Sequence, residues 1–478
     1  MSQGRRALNQ ERQALLRQLP GVDHVLDLWE EAYPARDLPR SVVVASIRKT
    51  LEELRSTILT SDETLDDASF SDSELLRLAE RTVNKAMEFN LKHVINATGV
   101  VVHTNLGRSL LPESVARHVA EISSRYSNLE FDLEKGARGS RYTCVEDILC
   151  EISGAEAAMV VNNNAGAVFL SLETLARGKE VVVSRGELVE IGGSFRIPDV
   201  MARSGARLVE VGATNRTHLA DYEEAIRDDT ALLLKVHTSN YAIVGFTSSV
   251  PLKDMVALGA KYHLPVMKDL GSGNFVDFSK YGLIKEPTVQ ETVAAGADVI
   301  TFSGDKMLGG PQAGIIVGKE DAVERIKKNP INRALRIDKL TLAALEATLH
   351  LYRDEAEAVS TIPTLSMLTM PAKVIAGKAR RLRDRLKKPG NNRLKVVLIN
   401  SSSRVGGGSL PLQELPTKCV GIKIDGLSAN RIERMMRQAT PPVIGRIEDD
   451  LVVMDMRTVQ NEEIAVIAAT FEKILAEK

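Results

Sequence analysis

From about residue 90 onward, short β-branched and aliphatic runs alternate with stretches of helical periodicity. The runs include Ala158-Met159-Val160-Val161, Val181-Val182-Val183, Arg207-Leu208-Val209-Glu210-Val211, Leu232-Leu233-Leu234, Pro265-Val266-Met267 and Asp298-Val299-Ile300. Strands that are apolar on both faces and separated by helix-length segments bury themselves best as a mainly parallel sheet with helices on its two sides. The pattern therefore predicts an α/β fold, with ligands bound where loops leave the carboxyl ends of the strands. The preceding segment is different. Residues 7–88 place Leu8, Leu15, Leu16 and Leu19, then Val25, Leu26 and Trp29, then Val43, Ile47, Leu51, Leu54 and Ile58 at helical spacing, with Pro34 and Pro39 as breaks. The acidic, serine-rich stretch 61–74 supplies helix-start residues for a further helix at Leu75, Leu76 and Leu78.

Beyond a long helical pattern from Lys339 to Leu351, a further helix is followed by strands at 394–399 and 420–424, a helix at 429–438, a strand at 451–454 and a helix at 462–475. This predicts a small α+β domain. The expected organisation is an N-terminal helical domain and linker at 1–88, a large domain at 89–355 and a C-terminal α+β domain at 356–478. The turn-rich Arg404-Val405-Gly406-Gly407-Gly408-Ser409 reads as a flexible loop.

Composition excludes several classes. With 478 residues, 44% of them hydrophobic and 26% charged, the chain has the makeup of a folded protein of more than one domain. It has no apolar run of about 18 residues, and its start lacks the pattern of a secretory signal, which predicts a cytoplasmic protein away from membranes. Cys144, Cys150 and Cys419 form neither a disulfide framework nor a CxxC site. No histidine pair has metal-ligand spacing, and Gly178-Lys179 lacks the preceding glycine of a phosphate-binding loop. The balance of 62 basic and 63 acidic residues gives no global footprint of nucleic-acid binding. Locally, Arg5, Arg6, Arg12 and Arg17 against Glu11 leave the first twenty residues at +3, which suits phosphate contact and equally a solvated helix.

The chemistry gathers on three words. In Thr301-Phe302-Ser303-Gly304-Asp305-Lys306-Met307-Leu308-Gly309-Gly310-Pro311 a lysine follows a strand, with Ser303 and Gly304 small enough for a flat ring to approach the backbone. This is how pyridoxal-phosphate (PLP) enzymes present the amine that carries the cofactor. A surface lysine before a turn would look the same in isolation. Asp269, 37 residues upstream at the end of another strand, is placed to pair with a protonated pyridine nitrogen. Asn162-Asn163-Asn164-Ala165-Gly166 opens a helix, and Asn163, Asn164 and Gly166 there suit a phosphate held at a helix N-terminus, although asparagine is also an ordinary N-cap. His103, His237 and Asn240 also follow strand patterns and carry less weight.

This order of phosphate loop, aspartate and lysine matches fold-type I PLP enzymes. The segments from Asn96 to Ser109, Lys235 to Tyr241, Ser303 to Gly314, Val405 to Pro411 and Pro441 to Ile447 resemble the bacterial selenocysteine synthases over residue 90 to the end. The helical N-terminal portion is similar to that family in size and type. The resemblance implies conversion of L-seryl-tRNA(Sec) to L-selenocysteinyl-tRNA(Sec) through an aminoacrylyl intermediate on PLP, with selenophosphate as selenium donor. It implies that Lys306 carries the cofactor and removes the Cα proton, that Asp269 keeps the ring nitrogen protonated, and that Arg108, Arg333 and Arg336 bind the anionic donor. Arg333 and Arg336, three apart, are expected on one face of a helix start. The resemblance also implies tRNA binding by the N-terminal domain and a homo-oligomer, a decamer built as a ring of dimers. Two other readings remain: a related PLP-dependent lyase acting on a small phosphorylated amino compound, and a non-catalytic tRNA-binding protein with a decayed site.

Overall fold

The computed structural model describes residues 12–60, 71–191, 195–387 and 392–476. Leu8, Arg5, Arg6 and the acidic stretch 61–70 lie outside the described residues. The chain divides into two compact units, residues 1–93 and 94–478.

The first unit contains the helices Val22–Ala32, Arg40–Thr60 and Asp72–Met87. The residues that repeat at helical spacing in the sequence are the ones that meet in its core: Val25, Leu26 and Trp29 pack against Val43, Ile47, Leu51 and Leu54, with Leu75, Ala79 and Val83 from the third helix. Ser71 starts that helix as its N-cap, accepting from the Glu74 N–H at 3.4 Å. Arg36 closes one end, its guanidinium 5.6 Å from the Trp29 ring centre and 5.4 Å from that of Tyr33.

The second unit is organised by a seven-stranded sheet in the order Ala157–Val161, Gly314–Gly318, Val299–Ser303, Val266–Gly271, Thr230–Val236, Glu180–Ser184, Arg207–Val211. Four of its six pairings are parallel, and the central strands are buried on both faces, which is why they read as unbroken apolar runs. Gly314–Gly318 is the exception: it runs antiparallel to both neighbours. The cause is the connection that carries the lysine. Residues 304–313 turn straight back, with Gly304 N–H bonded to Ala313 O (2.9 Å) and Gly310 N–H to Gly304 O (2.8 Å), and ten residues are too few for a parallel crossover.

A five-stranded sheet follows the order Arg446–Glu448, Leu451–Asp455, Ser409–Ile424, Leu394–Gly406, Val100–Val102. Two features depart from the sequence analysis. Residues 404–409 are the tip of a long hairpin: the strands on either side run 13 and 16 residues, and Gly406, Gly407 and Gly408 all take positive φ to turn the chain. Short strands also precede the large sheet in sequence yet pair with the C-terminal part, Ile95–Asn96 with Val443–Ile444 and Val100–Val102 with Leu394–Gly406. Runs of two or three residues are below what periodicity can register.

What holds residues 95–102 in place is a buried carboxylate. Asp455, fully out of solvent, accepts from Ser403 Oγ (2.8 Å), Thr417 Oγ1 (2.7 Å), the Arg457 N–H (3.0 Å) and Arg446 Nη1 (3.3 Å), while its own N–H bonds Ala97 O (2.9 Å). Arg446 also donates to Thr98 O at 2.7 Å. Gly99 passes directly over this carboxylate with φ +80°, and a Cβ there would stand 2.1 Å from Asp455 Oδ2. Gly99→Ala is therefore expected to destabilise this unit by about 2–4 kcal/mol, through left-handed strain plus displacement of a satisfied buried charge, read as a lower midpoint in denaturant titration.

Candidate active site

The carboxyl ends of the parallel strands bring the predicted residues together. Asp269, 3% exposed near the end of Val266–Gly271, accepts on Oδ1 from Asn164 Nδ2 (3.0 Å), Thr301 Oγ1 (3.1 Å) and the Gly271 N–H (3.1 Å). Three donors on one buried oxygen fix its direction. Asn164 is the first residue of the helix Asn164–Ala176, and its Oδ1 is buried without a partner.

Lys306 is 4% exposed in the turn after Val299–Ser303. Removal from water is the largest influence on its amine, and the Arg108 guanidinium adds to it. Together they outweigh Asp269, Asp305 and Glu286, so the amine gives up its proton below the ordinary lysine range. Arg108 reaches the site from the 95–109 segment. Its backbone is left-handed, φ 63°, an uncommon state for a residue with a side chain, and its Nη1 meets Asp305 Oδ2 at 2.8 Å. Ser109 anchors the same turn, donating from Oγ to Lys306 O (2.7 Å) and from N–H to Asp305 O (3.3 Å). The other oxygen of Asp305 is buried and unpaired.

The hairpin tip closes the lysine from another side. A Cβ on Gly408 would lie 3.8 Å from Lys306 Nζ and 3.3 Å from Asn240 Cβ. Glu286, 6% exposed, holds this arrangement: its Oε1 accepts from the Leu410 N–H (3.0 Å) and meets His237 Nε2 (3.4 Å), and its Oε2 meets Ser272 Oγ (3.5 Å). His103 is pushed below the ordinary histidine range by burial, with Nδ1 unpartnered.

A family model described as L-seryl-tRNA selenium transferase matches residues 94–460, and one described as the N-terminal part of selenocysteine synthase matches residues 16–55. The chain belongs to the L-seryl-tRNA selenium transferase family. It is 54% identical over 462 residues to the L-seryl-tRNA(Sec) selenium transferase of Geotalea daltonii, covering 96% of this chain and 99% of that one. It is 51% identical over 461 residues to that of Alkaliphilus metalliredigens, covering 96% and 98%. Among solved structures, D-glucosaminate-6-phosphate ammonia-lyase superposes with a TM-score of 0.55 over 80% of this chain and 96% of that one, at 21% identity, a likeness of fold.

Within this family framework, the structure sorts the predicted residues. Lys306, Asp269, Asn164 and Arg108 converge, and Ser303 ends the strand that delivers the lysine. Asn163 is the N-cap of the helix, its Oδ1 accepting from the Gly166 N–H at 2.8 Å, and Gly166 packs so closely that a Cβ would meet Leu335 at 3.2 Å. Arg333 and Arg336 share a face, but not on a helix start: Arg333 ends the 3-10 turn Pro330–Arg333, and Arg336 forms a β-bridge with Val161. They line a cavity of about 390 Å³ with Arg138, Arg141, Lys327 and Glu130, and Lys306 does not line it. Asp305 and Glu286 escaped the sequence analysis. Asp305 was in plain view beside the lysine, but its value depends on a guanidinium 197 residues away; nothing around Glu286 signals it.

Replacing Arg108 by leucine removes a positive neighbour and leaves Asp305 uncompensated, and both changes favour the protonated amine. In cofactor-free protein, the pH midpoint for labelling of Lys306 by an amine-reactive reagent is expected below that of exposed lysines, and Arg108→Leu is expected to move it up. Peptide mapping across a pH series measures both.

Proposed function

We propose that the protein converts L-seryl-tRNA(Sec) to L-selenocysteinyl-tRNA(Sec), with PLP on Lys306 and selenophosphate as the selenium donor. The observation that carries this reading is the placement of a buried Lys306 in one pocket with the anchored Asp269, in a chain whose relatives of that name match nearly its whole length.

The residues present fit PLP. Lys306 offers an amine inclined to lose its proton, Asp269 offers a fixed carboxylate for a ring nitrogen, and Asn164 Oδ1 and Asp305 Oδ1 are buried polar atoms awaiting partners. When bound, PLP supplies an electron sink for charge developing at the serine Cα. Asp269 holds the proton of the ring nitrogen. Lys306 would be the base that takes the proton from the serine Cα and later returns it there, the β-hydroxyl departing as water and the selenophosphate donor leaving its phosphate behind. Gly408 covers one side of the amine, and Glu286 holds the hairpin that carries it.

Arg108 stands beside Lys306 and is suited to hold an anionic donor in fork geometry once it yields Asp305. Arg333 and Arg336 serve the same donor, reaching it through assembly of subunits, since in one chain they face a different cavity from the lysine. This accords with a homo-oligomer, a ring of dimers in decameric form, whose sites are shared. The protein works in the cytoplasm, and no helix among the described residues is long and apolar enough to cross a membrane. The helical region 1–88 binds the tRNA, while 89–355 and 356–478 form the large and small domains of the catalytic part.

Incubation with seryl-tRNA(Sec) and PLP, without donor, is expected to yield pyruvate after hydrolysis of the ester, and Lys306→Ala is expected to abolish it. Intact serine beside a PLP chromophore that borohydride fixes to Lys306 would favour the small-molecule lyase. Deletion of residues 1–60 is expected to abolish seryl-tRNA binding in a filter assay while PLP absorbance persists; unchanged tRNA affinity would refute the role given to that region.

A further inference from the structure

We propose that a cavity of about 690 Å³ beside Lys306 receives the 3′-terminal nucleoside of the aminoacylated RNA, with Arg404 as the group that grips its phosphate. The inference rests on the reading above that the substrate is a seryl-tRNA, and adds where the end of that RNA sits.

The cavity is walled by Thr98 to Val100, by Ser239 and Asn240, and by the two sides of the glycine hairpin with Arg446 and Glu448 behind them. It borders the reacting centre: Gly408 and Asn240 belong to its lining, and the position of a Gly408 Cβ is 3.8 Å from Lys306 Nζ. A ligand filling it would therefore present an ester-linked amino acid to the lysine. Its volume falls within the range of about 300–1,000 Å³ typical of sites for one small organic group, too small for a duplex and sufficient for a nucleoside with its serine.

Three buried polar atoms in this lining have no partner: Ser239 Oγ, Ser409 Oγ and Asn240 Oδ1, with Ser239 only 1% and Ser409 only 3% exposed. Leaving such groups unmatched is costly, and a polar ligand that reached them would complete the bonding. The charges on the wall select among ligands. Arg446 is committed to Glu448 at 2.6 Å and to Asp455, Thr98 and Ser401. Arg404 is exposed and, among the described residues, its side chain has no ion pair or hydrogen bond, although Glu414 lies opposite it across the hairpin. With Arg446 already paired to Glu448, Arg404 is the cation on this wall left to meet a ligand, which suits a single phosphate. Pro411 and Leu412, the latter 59% exposed, give an apolar patch on the same wall for the face of a base.

The probe is 3′-deoxy-3′-(L-seryl)aminoadenosine 5′-monophosphate, a hydrolysis-resistant mimic of the RNA end, titrated calorimetrically into the PLP-loaded, full-length protein. The parent is expected to bind it at least tenfold more tightly than it binds L-serinamide. Arg404→Glu is expected to lose at least tenfold for the probe and nothing for L-serinamide, and Arg404→Lys to recover part of the loss. Unchanged PLP absorbance shows that these variants remain folded. Equal affinity of Arg404→Glu and parent for the probe, or equal affinity of the parent for probe and L-serinamide, overturns the subsite. Pyruvate release from seryl-tRNA(Sec) by the parent separates this result from a failure of the functional reading itself, which would show as no release from the parent.

Discussion

A lysine amine held out of water beside a guanidinium is the constraint around which the second unit is arranged. Lys306 would remain protonated in solvent and unable to act as a base. Burial and Arg108 bias it toward the neutral form against the pull of three carboxylates. Each carboxylate is also tied down. Asp269 is fixed by Asn164, Thr301 and Gly271, Asp305 on one oxygen by Arg108, and Glu286 by the hairpin backbone. A pocket rich in acid groups thus keeps a basic nitrogen.

The parts of this pocket arrive from distant stretches of chain. The sheet contributes Asp269 and Lys306, the helix N-terminus contributes Asn164, the segment after residue 95 contributes Arg108, and the C-terminal hairpin contributes Gly408. Asp455 joins the last two, since it fixes the strand beneath Gly99 and binds Ser403 of the hairpin arm. A fully buried carboxylate is thereby a determinant of where Arg108 stands. Its four acceptor contacts matter because a buried ion pair is stabilising only when its remaining lone pairs are satisfied.

What the sequence makes legible follows from scale. Short runs of three to five residues marked six of the seven strands of the large sheet, because burial of the central strands on both faces writes itself into consecutive side chains. The amphipathic helices of the first unit were equally plain from Val25 to Val83. Lys306 and Asp269 were recoverable because small flanking residues and a strand end accompany each. The two-residue strand Ile95–Asn96 left no such trace. Neither did the pairing of Asp305 with Arg108, nor the hairpin that three glycines disguise as a loose loop, for these depend on residues that only the fold brings near. In the asparagine loop the fold shows Asn163 as the cap of its helix and Asn164 bonded to Asp269, contacts that the sequence alone did not assign.

The joining of residues 95–102 to the C-terminal sheet has a consequence in time. Thr98 and Arg446 are 348 residues apart, so at a ribosomal rate of about 5–20 residues per second the first must wait roughly 20–70 s for the second to be made. Until then the segment leading to Arg108 lacks the contacts that Arg446 and Asp455 make with it, although a nascent chain already possesses its lysine. Chemical competence is thus deferred to the closing stretch of translation, when the last strands dock.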